Sequence, residues 1–395
     1  MKSISQINIT NKTIFLRVDY NLPFKNNTPQ DLTKIKSSLQ TINHLLKHNN
    51  KIILATHLGR PAGKFNPEFS TKHLLKPLQS LLPKYKITHL HDCIGSDIKT
   101  TIQKSSSKIF LLENLRFYHE EEQNDPLFAQ SLASLADIYI NDAFAVSHRA
   151  HASVHAITKY LPSYAGFQLE TEIIQLSKAL HPQPPVIWIL GGAKLDKIDL
   201  IQQALQKADY ILIGGALSFA FLKAKNISVG QSKTDTKSVH IAKSILNSPH
   251  AKKIILPIDF ITTTKMSPNT KTSIRNYNQI QTTEIALDLG PKTIALFKHH
   301  LRKAHTIIWN GPLGYYEWNK FAQATKDIGR FISTLTAITI VGGGETAAAM
   351  HKFHLHHKLT HVSTGGGASL EFLSGKILPG ILALNENKKK FPPNY

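Results

Sequence analysis

The segment ILGGAKLDKI, residues 189–198, ends an apolar run in two glycines and places two lysines within the next five residues. Glycine lets bare backbone approach a ligand closely, and ammonium groups neutralise negative charge. A strand that runs into this combination indicates a phosphate site at its carboxyl end. The segment therefore predicts a parallel α/β sheet whose strands end at an anion-binding edge.

The same arrangement recurs along the chain, where apolar β-rich runs alternate with amphipathic helices. In the first half, the runs are TIFLRVDYN, KIILATHLG, KIFLLEN and ADIYINDAF, with helices expected over 31–49, near 72–82 and near 126–135. In the second half, KIILPIDF is joined by five runs that lead into glycine, namely VIWILGG, YILIGGA, TIIWNGPLG, AITIVGGGE and THVSTGGG. The alternation predicts parallel sheets with helices on both faces, and the repeated glycines predict one nucleotide site assembled from several strand ends.

The two halves differ in chemistry, because the first carries arginine and histidine at its strand ends and the second carries glycine. Between them, a helix expected near residues 164–180 is followed by the proline-rich HPQPP. We predict two Rossmann-like domains, 1–162 and 182–375, joined by a hinge helix within 163–181. The C-terminal segment 376–395 is expected to return to the first domain. An ordinary crossover helix is the alternative interpretation of the connector.

Cysteine content and hydropathy indicate a cytoplasmic protein. Cys93 is the single cysteine, so no intrachain disulfide is available and a reducing compartment fits best. The N-terminus MKSISQINIT lacks the apolar core of a signal peptide, and no apolar run approaches the ~20 residues of a membrane helix.

The net charge of +21 raises the question of nucleic-acid binding. Its 40 lysines are scattered, however, and no zinc-finger spacing or RNA-binding sheet signature accompanies them. We interpret the charge as a solvated surface that favours anionic ligands, and keep a basic nucleic-acid-binding protein as the alternative. Four of the seven arginines, Arg17, Arg60, Arg116 and Arg149, flank strand ends or turns in the first half. Their planar forks suit carboxylate or phosphate, although structural ion pairing is the alternative, above all for Arg17.

The histidine-rich run HKFHLHHK, residues 351–358, invites a metal interpretation because His354 and His357 could share a helix face. No cysteine or acidic residue lies nearby in the sequence, so a solvated helix end is favoured.

Ten motifs in order carry a family resemblance: RVDYN, HLGRP, DCIG, LLENLRF, NDAFAVSHRAHAS, GGAK, LPIDF, WNGPLGYYE, VGGGET and HVSTGGGASLEFL. From about residue 14 to residue 381 the chain resembles phosphoglycerate kinases. The resemblance implies an N-terminal domain that binds phosphoglycerate and a C-terminal domain that binds MgADP or MgATP. It also implies a monomer whose hinge closes for phosphoryl transfer in glycolysis and gluconeogenesis. A dinucleotide dehydrogenase is disfavoured because the early strands lack G-x-G-x-x-G.

The resemblance also assigns roles to residues. Phosphoglycerate would be held by Asp19, Tyr20, Asn21, Lys34, His57, Leu58, Gly59, Arg60, Arg116 and Arg149. The nucleotide would be held by Gly191, Gly192, Lys194, Lys197, Asn310, Glu317, Gly343, Gly344, Glu345 and Thr346. Catalysis is expected from Lys34, Lys194, Lys197 and Arg149, with Glu345 as the candidate protein ligand of Mg²⁺. His148 would orient Arg149 or the domain interface, and residues 363–369 would form a second glycine turn.

The chain departs from the family pattern at several positions. Lys34 and Glu345 replace an arginine and an aspartate, and Ala145 and Ala324 replace glycines. One residue is missing between Lys194 and Lys197, which on a helix separates them by ~300° instead of ~400°. We expect Lys34 to have an anionic partner, because the helix dipole disfavours a cation in a first turn. We also expect weaker transition-state stabilisation from lysine than from arginine.

Overall fold

A computed structural model describes residues 1–25, 28–192 and 198–391. The chain forms two compact units, of which the first runs Met1–Ile174 and resumes at Ile377, and the second is Gln175–Lys376. Within the described ranges, no helix is both long and apolar enough to cross a membrane.

A six-stranded parallel sheet forms the centre of the first unit. Its strands, in chain order, are β1 (Thr13–Arg17), β2 (Lys51–Ala55), β3 (Ile87–His89), β4 (Ile109–Leu111), β5 (Ile138–Asn141) and β6 (Ser163–Ala165). They lie in the spatial order β3-β4-β2-β1-β5-β6, with every neighbouring pair parallel. All four predicted strands are confirmed. The two edge strands β3 and β6 were not predicted, because their sequences ITH and SYA do not lie in a long apolar run.

Helices lie between most of these strands in the chain and after the last one. They are α1 (Thr33–Lys47), α2 (Leu75–Leu81), α3 (Ser96–Lys104), α4 (His119–Glu122), α5 (Pro126–Ala133), α6 (Phe167–Leu180) and α14 (Pro379–Lys390). The face of α1 carries Ile35, Ile42 and Leu45, which are buried in the same core as β1 and β2. A short antiparallel pair, Phe24–Lys25 with Thr28–Pro29, precedes α1.

The connector helix begins later than the sequence pattern indicates. Tyr164 pairs with Ile140 in the sheet, and α6 starts only at Phe167. Asp142 explains the start, since its Oδ1 accepts the backbone N–H of Gln168 at 2.8 Å and so caps the helix. Helix α6 contains the boundary between the two units, which falls after Ile174.

The second unit is built on another six-stranded parallel sheet. Its strands are β7 (Val186–Leu190), β8 (Tyr210–Ile213), β9 (Ile254–Ile255), β13 (Thr306–Asn310), β14 (Ile338–Gly342) and β15 (His361–Val362), in the order β9-β8-β7-β13-β14-β15. All six apolar runs of the second half are thereby confirmed as strands of one sheet. A small antiparallel sheet of β10 (Asp259–Thr263), β11 (Ser273–Asn276) and β12 (Ile285–Leu289) is additional to the prediction.

The helices of the second unit are α7 (Ile198–Lys207), α8 (Leu217–Ala224), α9 (Thr236–Leu246), α10 (Pro291–Leu301), α11 (Gln323–Ile332), α12 (Gly344–Lys352) and α13 (Gly367–Leu373). Trp188 and Trp309 on the adjacent strands β7 and β13 are fully buried and are the two largest side chains of the core. The parallel α/β architecture predicted for both halves is confirmed.

Candidate active site

Four adjacent strands of the first unit deliver polar residues to one edge of its sheet. Asp19 follows β1 and His57 follows β2. Arg116 lies in the segment after β4, and His148 and Arg149 lie in the segment after β5. Because these strands are parallel and neighbouring, their carboxyl ends lie on the same edge. Three of the four arginines singled out in the sequence are therefore brought to one region, and Arg60 follows β2 on the exposed surface.

Lys34 has an anionic partner in the first turn of α1. Its Nζ lies 2.6 Å from Asp19 Oδ2 and donates to the carbonyl oxygen of Asn21 at 3.2 Å. Asn21 donates its backbone N–H to Asp19 Oδ1, and its own Oδ1 accepts the N–H of Gly59. The loop after β1, the turn after β2 and helix α1 are thus joined by one polar cluster.

His57 and Arg116 are buried beside this cluster. Burial, together with the charges of Arg17, Arg116 and Lys34, holds the pKa of His57 well below its ordinary value. Burial lowers the pKa of Arg116 to about 10, which still leaves it charged at neutral pH. Arg116 donates from Nη1 to the carbonyl oxygen of Gly59 at 2.8 Å, and its Nε lies 3.1 Å from Glu122 Oε1.

Arg149 donates from Nε to Nε2 of His148 at 3.3 Å, so His148 contacts the arginine that it was expected to orient. Two other residues named for the substrate face inward. Tyr20 is fully buried with its hydroxyl 2.7 Å from Ser38 Oγ, and Leu58 is a core residue whose backbone bonds to Asn114 at both ends. Their buried side chains support the loops, so the charged neighbouring residues are the ones that can contact a ligand.

A buried layer behind these cations was not identified from the sequence. Ser153 and Glu121 bond to each other and to neighbours of His57, and His151 lies 3.8 Å from Glu121 Oε1. Burial, with the charges of Arg17, Arg116, Arg149 and His148, lowers the pKa of His151 to about 3. No sequence signal marks this layer, because only burial distinguishes Glu121 from the neighbouring Glu120 and Glu122.

The second unit offers an anion site at the start of α12. Gly343 precedes the helix with φ 87°, and no side chain of the described ranges caps the helix N-terminus. Among the residues that the structure describes, neither polar atom of the buried Asn310 side chain has a hydrogen-bond partner, and both lie close to Gly343. An uncapped helix N-terminus beside an unpaired buried amide is suited to receive phosphate oxygens. Thr346 was also predicted to hold the nucleotide, but its hydroxyl accepts the N–H of Gly311 at 2.7 Å.

The glycines of the opening segment serve the packing of two loops. A Cβ on Gly191 would lie 2.3 Å from the carbonyl oxygen of Pro312, so only glycine allows this close approach. The N–H of Gly192 donates to that same carbonyl oxygen, and the N–H of Gly191 donates to Asn310 O. Both amides are therefore used within the fold, and these glycines support the neighbouring loop.

A pocket of about 220 Å³ lies beside these loops in the second unit. Its apolar lining includes Phe219, Phe260 and Leu313, and Glu317 and Glu345 lie at its polar margin. Burial raises the pKa of Asp288, which also lines it, to about 8. Asp288 accepts N–H groups from Leu289 and Ala324, so it fixes the pocket wall to the start of α11. LPIDF carried no assigned role in the sequence, although its Phe260 forms part of this wall.

The loop that carries Glu317 is held by α12. Lys352 donates from Nζ to the carbonyl oxygens of Tyr316 and Glu317 at 2.8 and 2.9 Å. Glu317 is exposed and so is Glu345 in the first turn of the same helix. Lys352 thus joins the loop that carries Glu317 to the helix that carries Glu345, and both of these acidic residues were predicted to hold the nucleotide.

Lys194 and Lys197, with the shortened spacing between them, lie outside the described residues. Ala145 and Ala324 do not have positive φ, so alanine is tolerated there without backbone strain. Ser363 follows β15, and its hydroxyl lies 2.5 Å from that of Ser369 in the first turn of α13, so the glycine-rich loop 363–366 is tied to the start of that helix.

The histidine run stacks instead of forming a ligand group. The rings of His351 and His356 lie 4.1 Å apart. Across the described residues, histidine, cysteine, aspartate and glutamate form no group of three that could hold a metal.

Comparisons with known proteins agree over nearly the whole chain. A family model described as phosphoglycerate kinase matches residues 4–376. The phosphoglycerate kinase of Koribacter versatilis is 44% identical over 396 residues, covering 97% of this chain and 98% of the relative. That of Finegoldia magna is 42% identical over 391 residues, covering 98% and 99%. The solved phosphoglycerate kinase structure from Coxiella burnetii matches with a TM-score of 0.85 at 35% identity, covering 97% of this chain and 98% of that one.

Proposed function

This chain belongs to the phosphoglycerate kinase family, and we propose from that premise how its own residues perform the reaction. The enzyme transfers a phosphoryl group reversibly from 1,3-bisphosphoglycerate to ADP, giving 3-phosphoglycerate and ATP, in glycolysis and gluconeogenesis. It is a phosphotransferase whose acceptor is a carboxyl group. We further infer that the protein is a monomer and that it is cytoplasmic. Its single cysteine is buried, which suits the reducing environment of that compartment.

The first unit is proposed to bind the phosphoglycerate. The observation that carries this assignment is the cation cluster of Lys34, Arg116 and Arg149, which lies with the neutral His57 at one edge of a parallel sheet. Guanidinium forks bind carboxylate and phosphate bidentately, and partial burial strengthens such bonds. Asp19 and Asn21 are suited to the uncharged hydroxyl of the substrate, while Arg60 supplies a further exposed cation.

The second unit is proposed to bind the nucleotide. The start of α12, with Gly343 and Gly344, supplies donors for phosphate oxygens, together with the Asn310 amide, which has no partner among the described residues. The apolar pocket beside it suits a base, and Glu317 at its margin suits ribose hydroxyls. Lys194 and Lys197 are assigned to the phosphates on the family resemblance alone.

No general base is needed for this transfer. The attacking oxygen belongs to a carboxylate in one direction and to a phosphate in the other, and both are ionised at neutral pH. Catalysis therefore rests on alignment and on neutralising the charge of the moving phosphoryl group, for which Lys34 and Arg149 are proposed. We also infer that domains 1–162 and 182–375 close about a hinge in 163–181, since water must be excluded.

Magnesium is expected to enter with the nucleotide. Mg²⁺ in such sites is held by one or two carboxylates and substrate phosphates. Glu345 fits this requirement, because its exposed carboxylate lies in the first turn of α12 beside the proposed phosphate site. When bound, the metal would neutralise charge on the phosphate oxygens.

Calorimetry with separate ligands tests the assignment of the two sites. Replacing Arg149 with alanine removes a charged donor, so 3-phosphoglycerate should bind at least about tenfold more weakly while ADP affinity stays the same. Lys99→Ala, at an exposed position of the same unit, is the matched control. Unchanged 3-phosphoglycerate affinity in Arg149→Ala would remove that residue from the site.

The nucleic-acid-binding alternative is not supported by the comparisons, whose named relatives are kinases.

A further inference from the structure

Arg17 lies at the carboxyl end of β1 and is completely buried behind the cation cluster. Its three side-chain nitrogens all meet protein atoms. Nε donates to Ser153 Oγ at 2.9 Å, Nη1 donates to the carbonyl oxygen of Val18, and Nη2 lies 3.3 Å from Nδ1 of His57. A guanidinium placed in this way contacts a ligand only through the residue in front of it, which is His57.

The orientation of Arg17 is fixed by the groups behind it. Ser153 donates its hydroxyl to Glu121 Oε1 at 2.6 Å and its N–H to Oε2 at 2.9 Å. Its carbonyl oxygen accepts the hydroxyl of Tyr139 at 2.8 Å. Since the Ser153 hydrogen points to Glu121, its lone pair is left to accept from Arg17. Glu121 and Ser153 are fully buried. The donors in this chain of hydrogen bonds all point the same way, from Arg17 through Ser153 to Glu121.

The contact between Arg17 and His57 determines where the imidazole carries its proton. A guanidinium has donors and no acceptor, so Nδ1 of His57 must be the acceptor. The proton of a neutral ring is then on Nε2, the nitrogen on the opposite side from Arg17. The ionisable groups that face His57 are Arg17 on β1, Lys34 on α1, Arg116 after β4 and His151 after β5. Burial among these groups lowers the pKa of His57 well below its ordinary value, so the ring is neutral.

We propose that Arg17 is a positioning residue, which fixes His57 as the neutral Nε2–H tautomer and presents that N–H at the phosphoglycerate site. The purpose assigned to the N–H rests on the proposed function, whereas the tautomer itself does not. In this arrangement His57 supplies a directed donor, and Lys34, Arg116 and Arg149 supply the charge.

The tautomer can be measured on the unaltered enzyme. Long-range ¹H–¹⁵N spectra of full-length protein labelled at histidine, compared with His57→Gln for assignment, distinguish the two tautomers and the imidazolium. We expect one signal set with protonated Nε2 and bare Nδ1 that does not titrate between pH 8 and pH 5. A proton on Nδ1, protons on both nitrogens at pH 7, or a titration near pH 6.5 would overturn the proposal.

Arg17→Lys tests the positioning role, because it keeps the charge and removes the fixed fork. We expect mixed His57 tautomers and a KM for 3-phosphoglycerate at least fivefold higher, with the KM for ATP unchanged. Arg302→Lys, at an exposed position of the second unit, is the control. A single Nε2–H tautomer in folded Arg17→Lys would contradict the role assigned to Arg17.

Adding 3-phosphoglycerate to the wild-type sample separates this inference from the proposed function. A shift of the His57 signals on titration is expected. Unshifted signals would contradict the proposed substrate site, and the tautomer seen in the free enzyme would still decide the inference.

Discussion

Removing Lys34 should slow phosphoryl transfer far more than it weakens nucleotide binding. Its Nζ lies 2.6 Å from Asp19 Oδ2, and the two side chains keep 29% and 11% of their exposure. This partial burial corresponds to an effective dielectric of about 20, in which two unit charges at ~4 Å attract by about 4 kcal/mol. Asp19 competes for the ammonium, so we assign about 2–3 kcal/mol to its action on the moving phosphoryl group. Lys34→Ala should therefore lower kcat by roughly 30- to 150-fold.

Steady-state assays with 3-phosphoglycerate and MgATP measure this effect. The KM for MgATP should change by less than about twofold, since removing a contact that acts only in the transition state leaves ground-state binding intact. Lys36→Ala, exposed on the same helix, is the matched control and should retain full turnover. Lys34→Arg supplies the family's fork and should turn over at least as fast as wild type. A kcat unchanged in Lys34→Ala would refute the reasoning and remove Lys34 from the mechanism.

Three further outcomes follow from the second unit. Asn310→Ala removes a buried amide that has no hydrogen-bond partner within the described part of the chain. The KM for MgATP should therefore rise about tenfold while the thermal midpoint stays level or increases, and a midpoint several degrees lower would contradict this. Gly191→Ala should lower the free energy of unfolding, measured in urea, by about 1–3 kcal/mol, because the added Cβ would overlap Pro312 O. Gly344 has open space around it, so Gly344→Ala should match the wild-type free energy of unfolding. The raised pKa of Asp288, about 8, contributes stability that is full at low pH and is lost as pH rises toward 8. Asp288→Asn should therefore show a smaller fall in thermal midpoint between pH 5 and pH 8, and a curve parallel to wild type would contradict that assignment.

The central strands and helices were predictable because long apolar runs with a clear period dominate their formation. The elements that were missed depend on tertiary contacts instead. Strand Ser163–Ala165 exists because it pairs with Ile138–Asn141, and α6 starts at Phe167 because a distant Asp142 caps it. No local sequence pattern around Tyr164 indicates either this strand or the position at which the helix starts.

The candidate site divides in the same way. His57 and Arg149 lie in motifs that carry the family resemblance, and Lys34 stands where the family has an arginine, so their selection needed no coordinates. The layer behind them could not be predicted, because burial alone distinguishes Glu121 from its two neighbouring glutamates. Gly191 shows the converse, since its glycine was attributed to a ligand and the structure attributes it to contact with Pro312.

The most direct test is a coupled assay of the purified protein with 3-phosphoglycerate and MgATP. We expect ADP formation that saturates in both substrates, runs in reverse with 1,3-bisphosphoglycerate and MgADP, and drops sharply in Arg116→Ala. No turnover above background from folded protein, with tight and salt-sensitive nucleic-acid binding in its place, would contradict it.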